Sequence, residues 1–404
     1  MRVSLAPRHL TVPANDRQAK GRQHDLPLRP LLADTPRVIL GDPGAAATLV
    51  APIRPRADTL FGPRGACLAA SGGPLFVCDT GHHRLLIWNK TPAADHTPAD
   101  LLIGQADFSR EGRNAKSDVG ATTLNVPAGV ASSPDVLALA DAWNHRVLLW
   151  HGYPERSNRP PDVVLGQADF AGGRANRGLD RPGANTLNWC YGIAIADGRL
   201  FVADTGNRRV LVWDRMPVDH GASADVVLGQ RDFAARDENA GEGPGALGMR
   251  WPHGVAVSGE AVLVADAGNN RIMVWRSLPR ANGMPCDFVL GQADMAGLDH
   301  NRAAYDPTAS TLNMPYGLTV QDDRLVVADT ANSRLLGFDA QSLAMGAAAT
   351  RVAGQHDFAS KGDNRWRPCA RDSLCWPYDV SACAGTMIVA DSGNNRVLVW
   401  EAAP

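Results

Sequence analysis

The sequence predicts an all-β protein, a six-bladed β-propeller of four-stranded antiparallel blades, and three observations lead to that prediction. One motif occurs six times: an apolar strand ends in Asp, and a tight turn leads to an Arg and a second apolar strand. The motif Asp recurs at a spacing that alternates between 62 and 63 residues. A short apolar run ending in Gly-Gln follows with the same period. Recurrence of this kind indicates one supersecondary unit repeated in an array.

Each repeat contains four short apolar runs that we interpret as strands. In the fifth repeat they cover residues 316–320, 325–329, 334–338 and 350–354. The runs are rich in Val, Leu and Ile and are separated by Gly, Asp and Asn, which is typical of antiparallel strands joined by tight turns. Residues 396–400 are apolar on both faces, as expected for a strand in a blade that lies between two neighbouring blades.

The last repeat is predicted to be completed by residues that precede the first. The Gly-Gln phrase occurs five times, and the sequence after the last motif Trp is too short to supply a sixth. Residues 36–43 carry the missing apolar run, and Gly41 lies 63 residues before Gly104 of the first Gly-Gln phrase. Pairing of the two chain ends leaves no blade with an open edge. We therefore expect residues 36–404 to form a single propeller, with 36–43 as the closing strand of blade six, and residues 1–35 to form an extended N-terminal arm.

Composition narrows the class of protein. The formal net charge is -2, which argues against electrostatic binding of nucleic acid over the whole surface. Seven cysteines lie at unrelated phases of the repeat, so a secreted disulfide framework is not expected. The sequence has no secretory apolar segment and no apolar stretch long enough to cross a bilayer. We expect a soluble, cytoplasmic protein without membrane contact.

The repeated motif residues carry a family resemblance. They are Asp79 and Arg84; Asp141, Asn144 and Arg146; Asp204, Asn207 and Arg209; Asp266, Asn269 and Arg271; Asp329, Asn332 and Arg334; and Asp391, Asn394 and Arg396. In this pattern the chain resembles the NHL repeat family, with His82 in place of the motif Asn in the first copy. The resemblance implies a propeller, and the family includes protein scaffolds, RNA binders and a branch of metal-dependent lyases. Asp and Asn hold tight turns, so we expect the motif residues to fix a corner of each blade rather than to act chemically.

A functional site is expected where the repeats differ, because structural positions repeat while a site is asymmetric. Each inner strand opens with a Pro-x-Gly step, and the x side chains should surround one mouth of the central channel. The candidate ligand-binding residues there are Arg64, Tyr191, His253, Tyr316 and Tyr378 at the x position, Cys190 in place of one Pro, and Trp189, Trp251 and Trp376 just before the step. Aromatic walls with a few polar groups are typical of a ligand site. The alternative is that these aromatics only fill the wide end of the channel.

The resemblance extends distantly to the metal-dependent branch of the family, the peptidylglycine amidating lyases. That branch places three zinc-binding His residues at the Pro-x-Gly step of alternate blades, and His253 matches one of those positions. The other two positions hold Ala128 and Tyr378, so the three-His set is lacking. The resemblance therefore does not carry a zinc site over to this chain.

Three cysteines leave a different metal site open. Cys190 and Cys375 fall at the level of the channel mouth in opposite blades, and Cys369 lies in the same connecting loop as Cys375. A soft-metal or redox role, with His253 as a further donor, is one interpretation, and small structural residues are the other. The sequence implies no particular cofactor.

Three functions follow from these observations. The leading hypothesis is a non-catalytic, bacterial-type NHL propeller that binds a protein partner or a small ligand through its channel mouth and the long loops on the same face. The alternative is a lyase- or lactonase-type enzyme at the mouth, metal-dependent or not, with His253 or a Tyr as acid or base and Arg64 as anion holder. RNA binding by loop arginines is the third and least favoured, because acidic residues interleave with them.

Overall fold

Short strands dominate the structure, a computed structural model that describes residues 29–41 and 53–403. In these two segments the strands form six sheets, each with four antiparallel strands, and one sheet carries a fifth strand. This confirms the six-bladed β-propeller that the repeat predicts.

The strands are β1 (Arg29–Pro30), β2 (Val38–Leu40), β3 (Gly65–Leu68), β4 (Leu75–Asp79), β5 (Arg84–Trp88), β6 (Leu101–Ile103), β7 (Pro127–Ser133), β8 (Val136–Asp141), β9 (Arg146–His151), β10 (Val163–Leu165), β11 (Cys190–Ala196), β12 (Arg199–Asp204), β13 (Arg209–Trp213), β14 (Val226–Leu228), β15 (Pro252–Ser258), β16 (Ala261–Asp266), β17 (Arg271–Trp275), β18 (Phe288–Leu290), β19 (Pro315–Gln321), β20 (Arg324–Asp329), β21 (Arg334–Asp339), β22 (Arg351–Ala353), β23 (Pro377–Cys383), β24 (Thr386–Asp391) and β25 (Arg396–Glu401). Short 3-10 helices lie at Thr80–His82, Arg113–Lys116, Ala142–Asn144, Ala175–Gly178, Thr205–Asn207, Glu238–Gly241, Ala267–Asn269, His300–Ala303, Thr330–Asn332, Ala340–Ser342, Asp363–Trp366 and Ser392–Asn394. No helix within the described residues is long and apolar enough to cross a membrane.

The N-terminal strand β2 completes the last blade, as the sequence predicts. It pairs antiparallel with β25, with Ile39 opposite Leu398, and β24 and β23 follow toward the channel. The backbone N–H of Ile39 donates to a carboxylate oxygen of Asp95 in blade one (2.9 Å), so the closing strand is bonded on both edges. Residues 42 and 43 of the predicted closing segment lie outside the described residues.

A second N-terminal segment covers the outer edge of blade five. In blades one to four a loop of the following blade bonds the outer strand; in blade two, for example, the N–H of Gly221 donates to the Val164 carbonyl (2.7 Å). Among the described residues, blade six sends no such loop to blade five, and β1 takes its place. It pairs parallel with β22, with Arg29 opposite Arg351.

Residues 31–33 extend this second contact into blade six. Leu31 and Leu32 are buried, and the indole N–H of Trp400 donates to the Ala33 carbonyl (2.7 Å). In blades one to four the Trp at the corresponding position donates instead to a carbonyl of its own blade. This part of the predicted arm therefore packs against the propeller, while residues 1–28 lie outside the described residues.

Apolar layers between adjacent blades form the core. One layer combines Val147 and Leu149 of blade two with Val202 and Leu211 of blade three. Every residue of β13 is buried, because both faces of the blade contact a neighbour. Burial of one Val or Leu side chain contributes about 1.5–3 kcal/mol, so each blade depends on the blades beside it.

The motif residues hold the turn between the second and third strands of a blade. In blade three, Oδ2 of Asp204 accepts hydrogen bonds from Arg209 Nε (2.7 Å) and Asn207 Nδ2 (2.8 Å), and Oδ1 accepts from the backbone N–H of Asn188 (2.6 Å). Arg209 also donates to the Phe233 carbonyl. Each buried charge thus has several partners, which offsets its loss of hydration. The network ties the long connecting loop to the corner and positions the channel mouth.

Blade one has a charged imidazole at its corner. Nδ1 of His82 lies 2.8 Å from Asp79 Oδ2, and Nε2 lies 2.9 Å from the carbonyl oxygen of Ile53. Because both partners only accept hydrogen bonds, both ring nitrogens carry a proton. Burial opposes this charge, but the hydrogen bond and charge of Asp79 raise the pKa of His82 above its ordinary value.

Candidate functional site

The Pro-x-Gly steps bring the inner strands into close contact around the channel. A Cβ atom built on Gly192 would lie 1.9 Å from the carbonyl oxygen of His253 in the next blade, so only glycine fits there. The same close approach occurs at Gly129, where the neighbouring atom is the carbonyl oxygen of Tyr191. This packing fixes the backbone from which the x side chains extend.

Five x side chains form a closed circle, which we call the mouth ring: Arg64, Tyr191, His253, Tyr316 and Tyr378. The imidazole of His253 stacks between Tyr191 and Tyr316, with ring centroids 4.9 and 4.3 Å away. Tyr316 contacts Tyr378 at 4.6 Å between centroids. Arg64 Cζ lies 4.9 Å from the ring centroid of Tyr378 and 6.0 Å from that of Tyr191, which completes the circle.

The mouth ring separates two cavities. A channel cavity of about 230 Å³ lies on its inner side and is lined by the first strands of the blades. A wider opening of about 780 Å³, which we call the funnel, lies on its outer side. Trp189, Trp251 and Trp376 stand on the funnel wall and are 48%, 45% and 39% exposed. The structure thus brings the predicted tryptophans and the predicted ring residues to one opening.

Two further aromatics of the funnel were not predicted. Phe61 and Trp143 line it and are 46% and 38% exposed. Phe61 stands where three other repeats have Asn, and Trp143 stands where most repeats have Gly in the motif turn. Both therefore differ in type from the residues at the same position of other repeats: Phe61 lies two residues before the Pro-x-Gly step, and Trp143 lies in the motif turn.

Hydrogen bonds from the preceding blade hold the rim backbone. Trp189 and Trp376 have φ values of 50° and 49°, in the left-handed region. The backbone N–H of Trp189 donates to Nδ1 of His145 (3.0 Å), and that of Trp376 donates to Oγ of Ser333 (3.2 Å). Val126, at the same position of blade two, also has a positive φ, so this backbone conformation is a feature of the repeat and does not depend on a Trp side chain.

Burial keeps the mouth ring uncharged apart from its arginine. Burial lowers the pKa of His253 to about 4, and its Nδ1 lies 3.1 Å from the carbonyl oxygen of Trp251, which it donates to as a neutral imidazole. Burial likewise raises the pKa of Tyr316 and of Tyr378, so both phenols keep their protons. Arg64 is then the charged member of the ring at neutral pH.

The predicted cysteine residues lie apart from the funnel. Cys190 is fully buried between blades two and three, and its thiol donates to the Arg146 carbonyl (3.2 Å). Burial raises the pKa of this thiol well above its usual value. Cys369 is exposed on a loop, and Cys375 is half-buried. Within residues 29–41 and 53–403, no three His, Cys, Asp or Glu residues are grouped so that they could hold a metal ion.

Comparisons with known proteins agree with the repeat. The NHL repeat family model matches residues 249–275. NHL repeat-containing protein 2 from Gallus gallus is 24% identical over 299 residues, which cover 70% of this chain and 39% of that protein. The chain therefore spans well under half the length of this relative.

Similar solved structures share the fold alone. One is a protein of unknown function from Bacteroides thetaiotaomicron, 13% identical with a TM-score of 0.47, over 85% of this chain and 70% of that chain. Another is virginiamycin B lyase from Staphylococcus aureus, 9% identical with a TM-score of 0.44, over 86% of this chain and 97% of that chain.

Proposed function

The chain belongs to the NHL repeat family, and on this premise we propose that it is a non-catalytic propeller that binds a small ligand in its funnel. The observation that carries the proposal is the funnel itself. Its volume of about 780 Å³ lies within the range of small-molecule sites, and exposed aromatic side chains form its wall. Aromatic rings that stay exposed around a concave opening offer apolar surface for a ligand to cover.

The chemistry of the mouth favours binding over catalysis. The low pKa of His253, about 4, makes it a weak general base at neutral pH, and both faces of its ring are covered by tyrosines. The threonine hydroxyls of the funnel are engaged in structure: Thr80 and Thr205 donate to proline carbonyls of the next blade. An activated nucleophile needs a base within hydrogen-bond reach, and these hydroxyls have carbonyl partners instead.

The loop arginines give little support to RNA binding. Arg365 pairs with Asp372 (2.7 Å), and Arg250 pairs with Glu238 (3.2 Å). Such ion pairs neutralise the positive charge that would attract the phosphate groups of RNA. We retain the cytoplasmic setting as part of the proposal, because all seven cysteines are free thiols, as is usual in a reducing compartment.

A neutral fluorescent probe tests the binding proposal. N-phenyl-1-naphthylamine, titrated into the full chain, should bind one per molecule. The double substitution Trp189→Ala, Trp376→Ala should weaken binding about tenfold, since each aromatic contact contributes about 0.5–1.5 kcal/mol. Trp366→Ala is the matched control, because Trp366 is 75% exposed and lies outside the funnel. Equal affinities for the double variant and the control would contradict the proposal.

A further inference from the structure

Arg64 differs from the other buried or half-buried arginines of the propeller in its partners. Each motif arginine is paired with a motif Asp, as Arg209 is with Asp204 at 2.7 Å. Arg64 has ring faces as its neighbours, those of Tyr378 and Tyr191, and forms no ion pair within the described residues. Ala128 occupies the x position between Arg64 and Tyr191 and adds no polar group. The guanidinium therefore keeps its hydrogen-bond donors for another partner.

The charge of the funnel has one sign. Its described lining contains Arg64 and Arg208 and neither Asp nor Glu. The nearest acid in sequence to the mouth ring, Asp379, lines the channel cavity on the other side of the ring. Burial raises the pKa of Asp379 to about 6. An anion entering the funnel thus meets positive charge and no opposing carboxylate, whereas a cation would be repelled.

Polar and apolar groups occupy different depths of the site. The hydroxyl groups of Tyr191, Tyr316 and Tyr378 donate to no acceptor among the described residues, and all three tyrosines line the funnel together with Arg64. Those four residues also line the channel cavity, so they lie at the boundary of the two cavities, whereas Trp189 and Trp376 line the funnel alone. A ligand that satisfies both levels has an acceptor-rich end and a flat apolar body.

We propose that the funnel binds a flat organic anion, with its carboxylate, sulfonate or phosphate on Arg64 and its ring system against the rim tryptophans. This inference rests on the proposed binding function and specifies its ligand class. A volume of about 780 Å³ suits an acid with a few fused or linked rings rather than a polymer. The arginine fork gives the anion a fixed orientation, and the aromatic wall gives it apolar contact.

Two probes with nearly the same ring system test the anion claim. 8-Anilinonaphthalene-1-sulfonate carries a sulfonate that N-phenyl-1-naphthylamine lacks. In fluorescence titrations of the full chain, the sulfonate should bind about tenfold more tightly than the neutral amine, as expected for one charge-assisted interaction. Added sodium chloride should weaken binding of the sulfonate only. Arg64→Gln should remove the preference, so that the two probes bind with similar affinity.

Matched variants keep the test decisive. Arg64→Lys should retain part of the preference, and Arg110→Gln should retain all of it, because Arg110 is on an exposed loop outside the funnel. Circular dichroism and urea unfolding report on folding, since a misfolded Arg64→Gln chain would expose apolar surface that binds both probes without preference. A folded Arg64→Gln chain that keeps the sulfonate preference, or a wild-type chain without one, overturns the inference. If the anion inference is overturned but Trp189→Ala, Trp376→Ala still weakens binding of the neutral amine, the proposed binding function stands. If the double substitution leaves that binding unchanged as well, both proposals fail.

Discussion

Removal of the closing strand tests how the ring is held together. β2 buries Val38, Ile39 and Leu40, which are 0%, 6% and 0% exposed. At about 1.5–3 kcal/mol for each buried side chain, the strand contributes about 5–9 kcal/mol, apart from its hydrogen bonds with β25. Whole domains are typically stabilised by only about 5–15 kcal/mol. A chain that begins at residue 42 should therefore lose cooperative folding.

The assay is urea unfolding followed by tryptophan fluorescence and circular dichroism. A chain that begins at residue 37 lacks β1 and the buried Leu31 and Leu32 but keeps β2. It should lose about 3–6 kcal/mol and still unfold in one transition. The chain from residue 42 should show no such transition and should self-associate through the open edge of β25. Equal urea midpoints for the two shortened chains would refute the reasoning.

Three further predictions concern the corners and the mouth. Asp204→Asn should lower the free energy of unfolding by about 3–5 kcal/mol, because it leaves Arg209 buried without an anion; a change below about 1 kcal/mol in urea unfolding would contradict this. Burial lowers the pKa of His83 and of His145 from 6.5 to about 4, so the folded state prefers neutral imidazole and loses stability as pH falls from 6.5 toward 4. In blade four Asn270 accepts the equivalent backbone hydrogen bond, so both histidines can be replaced with Asn. The double variant should lose less Tm between pH 6.5 and pH 4 than the wild type, and an unchanged dependence of Tm on pH would show that the two histidines do not cause it. Because the pKa of His253 is about 4, affinity for the neutral amine probe should not vary across neutral pH, and a titration step near pH 6.5 would show that His253 is solvated.

The repeat made the fold and the closing strand predictable. Its period of 62 or 63 residues counts the blades, and the phase of Gly41 assigns β2 to the last one. The role of residues 29–33 was not predictable in the same way. β1 takes the place of a loop that the following blade supplies elsewhere, and the Ala33 carbonyl takes the place of a carbonyl from the same blade as the Trp. Residues 29–33 therefore correspond to no segment of the other repeats, and the sequence pattern could not assign their role.

The positions of the candidate site residues were predictable where every repeat presents the same position to the channel, and not where a residue departs from the repeat elsewhere. The x residues and the rim tryptophans lie at the funnel because every first strand presents the same positions to the channel. Cys190 takes the place of a Pro that is buried in the other blades, and its thiol lies in the core between blades. Phe61 and Trp143 reach the funnel from the adjacent loop and turn, outside the step that defined the prediction.

A crystal structure of the full chain with bound 8-anilinonaphthalene-1-sulfonate tests the central claim most directly. We predict one probe in the funnel, with a sulfonate oxygen within hydrogen-bond distance of the Arg64 guanidinium and the ring system against Trp189 or Trp376. A sulfonate turned away from Arg64 toward solvent, or a probe bound only on the outer surfaces of the blades, would contradict the account.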